Sequence, residues 1–224
     1  MIELYLDTAN VAETERFHRC FPLKGVTTNP TIVAKSGKGL TETLANMSAV
    51  LGDSARFHAQ VVSKDVDGML KEARMLSELP YDMVVKVPAT EQGLAAIKLM
   101  KKEGISVLAT AIYTSQQGIM AALCGADYLA PYVNRIDAMN SDGVGVVREI
   151  QTFINIHGLS SKILAASFKN VQQAVEVMTL GIEAITLPLD VAEQMFSHPA
   201  ILPAVEQFDK DWNQAFGDKL SFES

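Results

Sequence analysis

Short apolar runs alternate along the chain with longer stretches in which apolar residues recur at helical spacing. The runs, which are typical of buried strands, are IELYL, GVTT, RFHAQVV, MVVKVP, ISVLATAIY, DYLAPYV, KILAASF and AITLPL. The stretches between them predict amphipathic helices, as where Val66, Met69 and Leu70 fall on one helix face. Asp65 and Thr90 are suited to cap helix starts. Helix stop signals follow at Gly104, Gly125, Gly158 and Gly181.

This alternation of strands and helices predicts a parallel sheet. Eight units in 224 residues leave 28 residues per unit, close to the minimum for a strand and its helix. A single-domain (β/α)8 (TIM) barrel is therefore the predicted fold class. An open, doubly wound sheet is the alternative, but it usually carries a Gly-rich phosphate loop after the first strand, where this chain reads DTANVAET.

We expect the barrel to occupy residues 1–196 and a C-terminal helix and tail to occupy residues 197–224. In the tail, Val205, Phe208, Trp212 and Phe216 recur at helical spacing. This apolar stripe has to pack either on its own barrel or on a neighbouring subunit, and periodicity alone does not choose between them.

Charge and cysteine content exclude several classes of function. A net charge of −7 gives no basic face for nucleic acid. No apolar run reaches the roughly 18 residues of a membrane span, and Glu3 and Asp7 stand where a signal peptide is basic and then apolar. Cys20 and Cys124 form no CxxC pair, so we expect reduced, buried thiols in a cytoplasmic protein.

The four histidines, His18, His58, His157 and His198, form neither HxH nor HExxH, so no metal site is predicted. His58 shares a strand face with Gln60. It is expected in the core, with the rim of the pocket as the alternative.

Polar residues end seven of the eight predicted strands, and the active sites of barrels lie at those ends. They are Asp7, Thr27, Thr28, Asn29, Gln60, Lys86, Thr110, Tyr132, Asn134, Arg135 and Ser167. The eighth strand adds little. So many converging hydrogen-bonding groups predict a polyhydroxylated ligand.

Lys86, inside the run DMVVKVP, is the sharpest chemical signal. Alternation along a strand places it on the face of Val84 and opposite Val85. Desolvation lowers the pKa of a buried lysine, and a neutral amine can form a Schiff base with a ketone or aldehyde. The alternative is a structural lysine paired with a carboxylate such as Asp7.

The remaining polar residues have two interpretations each. Asp7 is a proton shuttle or the ion-pair partner of the lysine, and Tyr132 is a general acid/base or an ordinary barrel aromatic. Gln60 and Thr110 are able to hold a water near the amine, or are satisfied core groups.

Arg135 and Ser167 are able to form an anion site near the sixth and seventh strands. An arginine at a loop start is otherwise an exposed cation.

Eight segments in order resemble the transaldolase family, and within it the small fructose-6-phosphate aldolases. They are YLDTAN, GVTTNPTI, AQV, VVKVP, the stretch around QGLAAIK, APYVNRID, LAASFK and ITLPLDVAEQM. The resemblance extends from Met1 to about Gly217. It implies a barrel with a Schiff-base lysine on the fourth strand, at Lys86.

The resemblance also implies roles for the other site residues. Tyr132 becomes the general acid/base, and Gln60 and Thr110 hold the catalytic water with it. Asp7 and Asn29 contact the lysine and the substrate hydroxyls, with Thr27 beside them, and the phosphate lies at Arg135 and Ser167. Transaldolases of the family have glutamate and phenylalanine where this chain has Gln60 and Tyr132.

The resemblance implies an enzyme, a carbon–carbon lyase that cleaves fructose 6-phosphate reversibly to dihydroxyacetone and glyceraldehyde 3-phosphate without metal or organic cofactor. A transaldolase that transfers the dihydroxyacetone unit is the alternative, and a non-catalytic sugar-phosphate-binding barrel is the non-enzyme alternative. The resemblance further implies a homo-oligomer, a pentamer or decamer in which the C-terminal helix packs on a neighbour. We expect no nucleic-acid or membrane partner.

Overall fold

The strands close into a parallel barrel in this computed structural model, which describes residues 2–223. Strand order follows chain order, and the first strand pairs with the eighth. Within the described residues the strands are β1 (Glu3–Asp7), β2 (Leu23–Thr27), β3 (Arg56–Gln60), β4 (Asp82–Pro88), β5 (Val107–Ile112), β6 (Tyr128–Pro131), β7 (Lys162–Ala165) and β8 (Ala184–Leu187). The predicted (β/α)8 barrel is therefore confirmed. Met1 and Ser224, the outer limits of the expected barrel and tail, lie outside the described residues.

Helices follow every strand and cover the outside of the barrel. They are α1 (Val11–His18), α2 (Pro30–Ser36), α3 (Leu40–Leu51), α4 (Val66–Ser77), α5 (Glu91–Lys102), α6 (Ser115–Leu123), α7 (Val133–Asp137), α8 (Gly143–His157), α9 (Val171–Met178), α10 (Leu189–Gln194) and α11 (Ile201–Phe216). Asp65 and Thr90 cap α4 and α5 as predicted. The short helices α2, α7 and α10 are absent from the predicted pattern, because they have too few turns to show a helical period.

Alternation of side chains along the strands produces two separate apolar clusters. The larger one lies between the strands and the helices and includes Val85 and Val87. The smaller one fills the lumen of the barrel. It contains Tyr5, Val84, Leu108, Tyr128, Ala130, Leu164, Ala166 and Ala184. Lys86 shares the inward face of β4 with Val84, as the strand pattern predicts.

A network of charged and phenolic groups closes the N-terminal end of the lumen. The carboxylate of Glu3 accepts hydrogen bonds from Tyr5 (2.6 Å), Tyr128 (2.8 Å) and Lys162 (2.8 Å). Arg56 donates to the hydroxyl of Tyr128 at 2.5 Å. Since these groups plug one end, a ligand has access to the lumen from the opposite, C-terminal end of the strands.

The C-terminal helix α11 extends beyond the barrel, and none of its residues is buried. Leu202 and Phe208 on this helix are 73% and 67% exposed. No helix in residues 2–223 is long and apolar enough to cross a membrane. Cys20 is exposed and Cys124 is half-buried, so the expectation of a buried thiol is wrong for Cys20.

Candidate active site

The amine of Lys86 is enclosed near the C-terminal end of β4. The residue is 5% exposed, and its Nζ donates a hydrogen bond to the main-chain oxygen of Thr28 at 2.7 Å. Burial lowers the pKa of Lys86, and the negative charge of Asp7 offsets this only in part. A carbonyl oxygen accepts a hydrogen bond without supplying a full counter-charge, so this environment disfavours the charged form of the amine.

Asp7, at the end of β1, is held by hydroxyl groups. Its Oδ1 accepts a hydrogen bond from Thr27 at 2.6 Å, and Thr186 lies 2.8 Å from the same threonine hydroxyl. No ion pair joins Asp7 to Lys86 in residues 2–223, which disfavours the interpretation of Lys86 as half of a structural ion pair. Asp7 instead remains a fixed negative charge beside the amine.

The phenol of Tyr132 lies where β6 passes into α7. Its hydroxyl is 2.8 Å from the hydroxyl of Thr110 on β5. Ala111 has a φ of 57°, and the register between β5 and β6 shifts at this point. This bulge re-aligns the strands, so that the backbone N–H of Tyr132 donates to Ile112 at 3.0 Å.

Tyr132 is protonated in the resting site. Burial raises its pKa, while Thr110 and the guanidinium of Arg135 lower it and the charge of Asp7 raises it. A protonated phenol is able to donate a proton, and the phenolate that remains, which Thr110 and Arg135 favour, is able to accept one.

Arg135 and Ser167 line the same cavity as Tyr132. The guanidinium of Arg135 lies 4.7 Å from the ring centroid of Tyr132 and donates to the hydroxyl of Tyr113 at 3.2 Å. Ser167 follows β7 with a φ of 62°, a strained conformation for a residue other than glycine. A cation and a serine at the rim form a suitable site for an anion.

A cavity of 210 Å³ brings six of the nine predicted site residues together. It is lined by Asp7, Asn29, Lys86, Tyr132, Arg135, Ala166, Ser167, Phe168 and Pro188. Thr27 and Thr110 are one hydrogen bond away, through Asp7 and Tyr132. The side-chain oxygen of Asn29 caps α2 by accepting from Ile32, which fixes the orientation of its amide towards the cavity.

Gln60, like Thr27 and Thr110, does not line this cavity. It pairs in register with Lys86, yet it contributes to a neighbouring, mostly apolar cavity of 600 Å³ with Pro88 and Thr90. The role of Gln60 in holding a water with Tyr132 and Thr110 therefore stays a prediction.

Two residues near the site, Tyr113 and Thr186, and one main-chain contact, from Thr28, are absent from the sequence prediction. Tyr113 is not predicted because the bulge at Ala111 breaks the regular alternation of side chains from which its direction would be inferred. Thr186 lies on β8, the strand expected to add little, where its polar side chain in an apolar run was the available signal. The main-chain acceptor of Thr28 has no sequence signal, since any residue provides a carbonyl.

His58 lies in the lumen and is fully buried, as the core interpretation predicts. Its ring contacts Tyr5 and Tyr128 edge-on, at 4.9 and 5.4 Å between centroids. Neither ring nitrogen has a hydrogen-bond partner within residues 2–223. Burial holds the pKa of His58 well below its usual range, and the positive charges of Lys86 and Arg56 act in the same direction.

Comparison with known proteins agrees with the fold. A family model described as Transaldolase/Fructose-6-phosphate aldolase matches residues 4–222. Among solved structures, a mandelate oxidase variant with an FMN adduct is 13% identical with a TM-score of 0.58. The match covers 97% of this chain and 74% of the mandelate oxidase chain. A thiamine phosphate pyrophosphorylase from Pyrococcus furiosus is 17% identical with a TM-score of 0.55, covering 96% and 98%. At these identities the two structures show a shared fold only.

Replacing His58 with phenylalanine is expected to stabilise the protein. The change keeps a ring in place and removes two unpaired buried nitrogens, a gain of about 1 kcal/mol in the free energy of unfolding at neutral pH. In the wild type, His58 binds a proton below about pH 6.5 in the unfolded chain, but its lowered pKa keeps it neutral in the folded chain. The free energy of unfolding therefore falls as the pH is lowered. His58→Phe removes that part of the dependence.

Urea unfolding followed by circular dichroism between about pH 5 and about pH 7.5 measures both effects. His157→Phe, the same change at an exposed position, is the control and should keep the acid dependence of the wild type. A His58→Phe protein that is less stable at neutral pH would show that the imidazole has a partner in solution.

Proposed function

The chain belongs to the transaldolase/fructose-6-phosphate aldolase family, and from that premise we propose that it is a class I aldolase. It cleaves fructose 6-phosphate reversibly to dihydroxyacetone and glyceraldehyde 3-phosphate. The observation that carries the proposal is the enclosed amine of Lys86, which shares a cavity with Tyr132. Family membership itself implies an enzyme of the aldolase or transaldolase type.

Lys86 is the nucleophile. Its neutral amine attacks the C2 ketone of the sugar, and the carbinolamine loses water to give a protonated imine. Asp7 stabilises the positive charge that appears on the nitrogen. The imine is the electron sink of the reaction, so no metal or organic cofactor is required.

Tyr132, paired with Thr110, moves the protons. It first gives its own proton to the hydroxyl that leaves the carbinolamine as water. The resulting phenolate accepts the proton of the C4 hydroxyl, the oxygen electrons form the C4 carbonyl, and the C3–C4 bond breaks with its electron pair entering the imine to give an enamine. Glyceraldehyde 3-phosphate leaves. Protonation of the enamine at C3 and hydrolysis of the resulting imine release dihydroxyacetone and regenerate Lys86. Gln60 is proposed to help hold the water used in these steps.

The substrate is proposed to lie with its phosphate at Arg135 and Ser167 and its dihydroxyacetone end near Asp7, Asn29 and Thr27. A charge-assisted contact from a guanidinium suits a phosphate dianion, and the polar strand ends suit the hydroxyls.

Transaldolase activity, in which the enamine waits for an acceptor aldehyde, is the second candidate. It is favoured by the same lysine, since both reactions share the imine. Cleavage is preferred because a phenol next to the cavity can protonate the enamine before an acceptor arrives. By the resemblance, Gln60 and Tyr132 are also the aldolase-type residues.

We further propose a homo-oligomer, a pentamer or decamer, in the cytoplasm. The apolar side chains of α11 are exposed on the single chain and suit a second copy of it. Two unpaired cysteines, one of them exposed, suit a reducing compartment.

Borohydride reduction with dihydroxyacetone, followed by peptide mapping, tests the nucleophile. We expect a reduced adduct on Lys86 and none in Lys86→Met, which should remain folded because methionine fills the same enclosed space. Tyr132→Phe should still be trapped while its turnover falls by about 10²- to 10⁴-fold, the usual contribution of a placed proton-transfer group. An adduct on another lysine would falsify the mechanism.

Product analysis separates the two reactions. With fructose 6-phosphate alone, an aldolase releases free dihydroxyacetone, whereas a transaldolase releases it only slowly and depends on an acceptor such as erythrose 4-phosphate. Acceptor-dependent turnover in the wild type would decide for transfer. Lys86→Met is the control for both assays, and a wild type with no turnover of either kind would favour a binding protein.

Sedimentation equilibrium tests the role of α11. Phe208→Glu places a charge in the exposed apolar stripe and should dissociate the oligomer, since a buried unpaired carboxylate is costly. Gln214→Glu adds the same charge on the opposite face of the helix and should leave the assembly intact. A wild type that sediments as a monomer, or a Phe208→Glu protein that still assembles, contradicts the proposal.

A further inference from the structure

Tyr113 stands beside two residues of the proposed mechanism without belonging to the predicted site. It follows directly after β5, and its ring meets the ring of Tyr132 edge-on, at 5.6 Å between centroids and 75° between planes. Its hydroxyl accepts a hydrogen bond from Nη1 of Arg135 at 3.2 Å. One side chain therefore touches both the proposed acid/base and the proposed anion anchor.

Arg135 is held in one position by these contacts. It lies on α7, three residues after Tyr132, and helical geometry turns its side chain back over that ring. The guanidinium carbon lies 4.7 Å from the ring centroid, within the range of a cation–π contact. The hydrogen bond to Tyr113 removes the freedom of a long side chain that would otherwise point into solvent.

Tyr113 itself is fixed by the loop that carries it. Its backbone N–H donates to Oε1 of Gln117 at 2.9 Å, and the amide of Gln117 donates to the main-chain oxygen of Ala89. The loops after β4 and β5 are thereby joined. The hydroxyl of Tyr113 thus has a defined position from which to orient Arg135.

The charges that face the phenol of Tyr132 act in opposite directions. Burial and the carboxylate of Asp7 disfavour its phenolate, whereas Arg135 favours it. Tyr113 also disfavours the phenolate, and the hydrogen bond to Thr110 favours it. Among the charged groups of the described residues that act on Tyr132, Arg135 is the cation that lowers its pKa.

We propose that Tyr113 is a positioning residue that holds Arg135 over the ring of Tyr132, so that one guanidinium both receives the anionic end of the substrate and keeps Tyr132 able to accept a proton. The proposal rests on the function proposed above. An anion that binds to Arg135 neutralises the charge of the guanidinium and so makes Tyr132 a weaker acid. Anion binding and proton transfer are thus coupled through one side chain.

The direct test is the titration of Tyr132 in protein labelled with ¹³C at the tyrosine ring carbon that bears the hydroxyl, with the signal assigned by its absence in Tyr132→Phe. Tyr113→Phe keeps the ring contact and removes only the acceptor. We expect its Tyr132 to be a weaker acid, with the ionisation constant reduced by about 3- to 30-fold, the range of a partly desolvated cation–π contact. Saturating inorganic phosphate should weaken Tyr132 in the wild type and have less effect in Tyr113→Phe.

Tyr81→Phe is the matched control, because Tyr81 packs on Phe57 away from the cavity. It should leave the titration of Tyr132 and the response to phosphate unchanged. Unchanged ionisation of Tyr132 in Tyr113→Phe would overturn the inference, whatever the activity of the protein.

Kinetics provide a second readout. With fructose, which has no phosphate, the rate profile of Tyr113→Phe should be displaced to higher pH, and with fructose 6-phosphate KM should rise as well. Trapping at Lys86 should remain equal in Tyr113→Phe and the wild type. A loss of trapping in the wild type is a failure of the proposed function, whereas an unmoved pH profile with normal trapping contradicts the positioning role.

Discussion

The enclosure of a single amine determines how the rest of this barrel is arranged. A lysine that is 5% exposed has to be paired or give up its charge, because water no longer stabilises the ammonium form. Here its hydrogen-bond acceptor is the main-chain oxygen of Thr28, and the closest carboxylate of the cavity, Asp7, is bound to a threonine. The charge of Asp7 offsets only part of the effect of burial on the pKa of Lys86.

The polar groups of the lumen are separated along the barrel axis for the same reason. The N-terminal end is plugged by Glu3, whose pKa is raised by burial but lowered further by hydrogen bonds from Lys162, Tyr5 and Tyr128. Above this network lie apolar side chains and the unpaired ring of His58. Because His58 makes no hydrogen bond in the described residues and stays neutral, it adds no charge beneath the amine of Lys86. The charged groups that are paired with one another, around Glu3, thus lie at the N-terminal end of the lumen. The proposed reactive groups, Lys86 and Tyr132, lie at the C-terminal end.

The fold could be predicted from the sequence because each strand and long helix carries its own periodicity, and the glycine and capping signals mark their ends. The burial of Lys86 on the strand face of Val84 could also be predicted, because side chains alternate along a strand. The positions of Tyr113 and Gln60 could not. A left-handed Ala111 breaks the alternation that would have located Tyr113, and the orientation of Gln60 towards a second cavity depends on loops that the strand pattern does not describe. Partners across strands, such as Thr186 with Thr27, depend on register, which local periodicity leaves open.

Burial acts on the two reactive groups in opposite directions, and this makes them a working pair. It lowers the pKa of Lys86 and raises that of Tyr132, and so favours the neutral form of each, while the charged groups beside them are Asp7 and Arg135. In the proposed mechanism, formation of the protonated imine places a new positive charge in the cavity. Asp7 attracts that charge and Arg135 repels it. A substrate phosphate bound at Arg135, as proposed, relieves the repulsion as the imine forms, so the anionic end of the substrate contributes to the proposed chemistry as well as to binding.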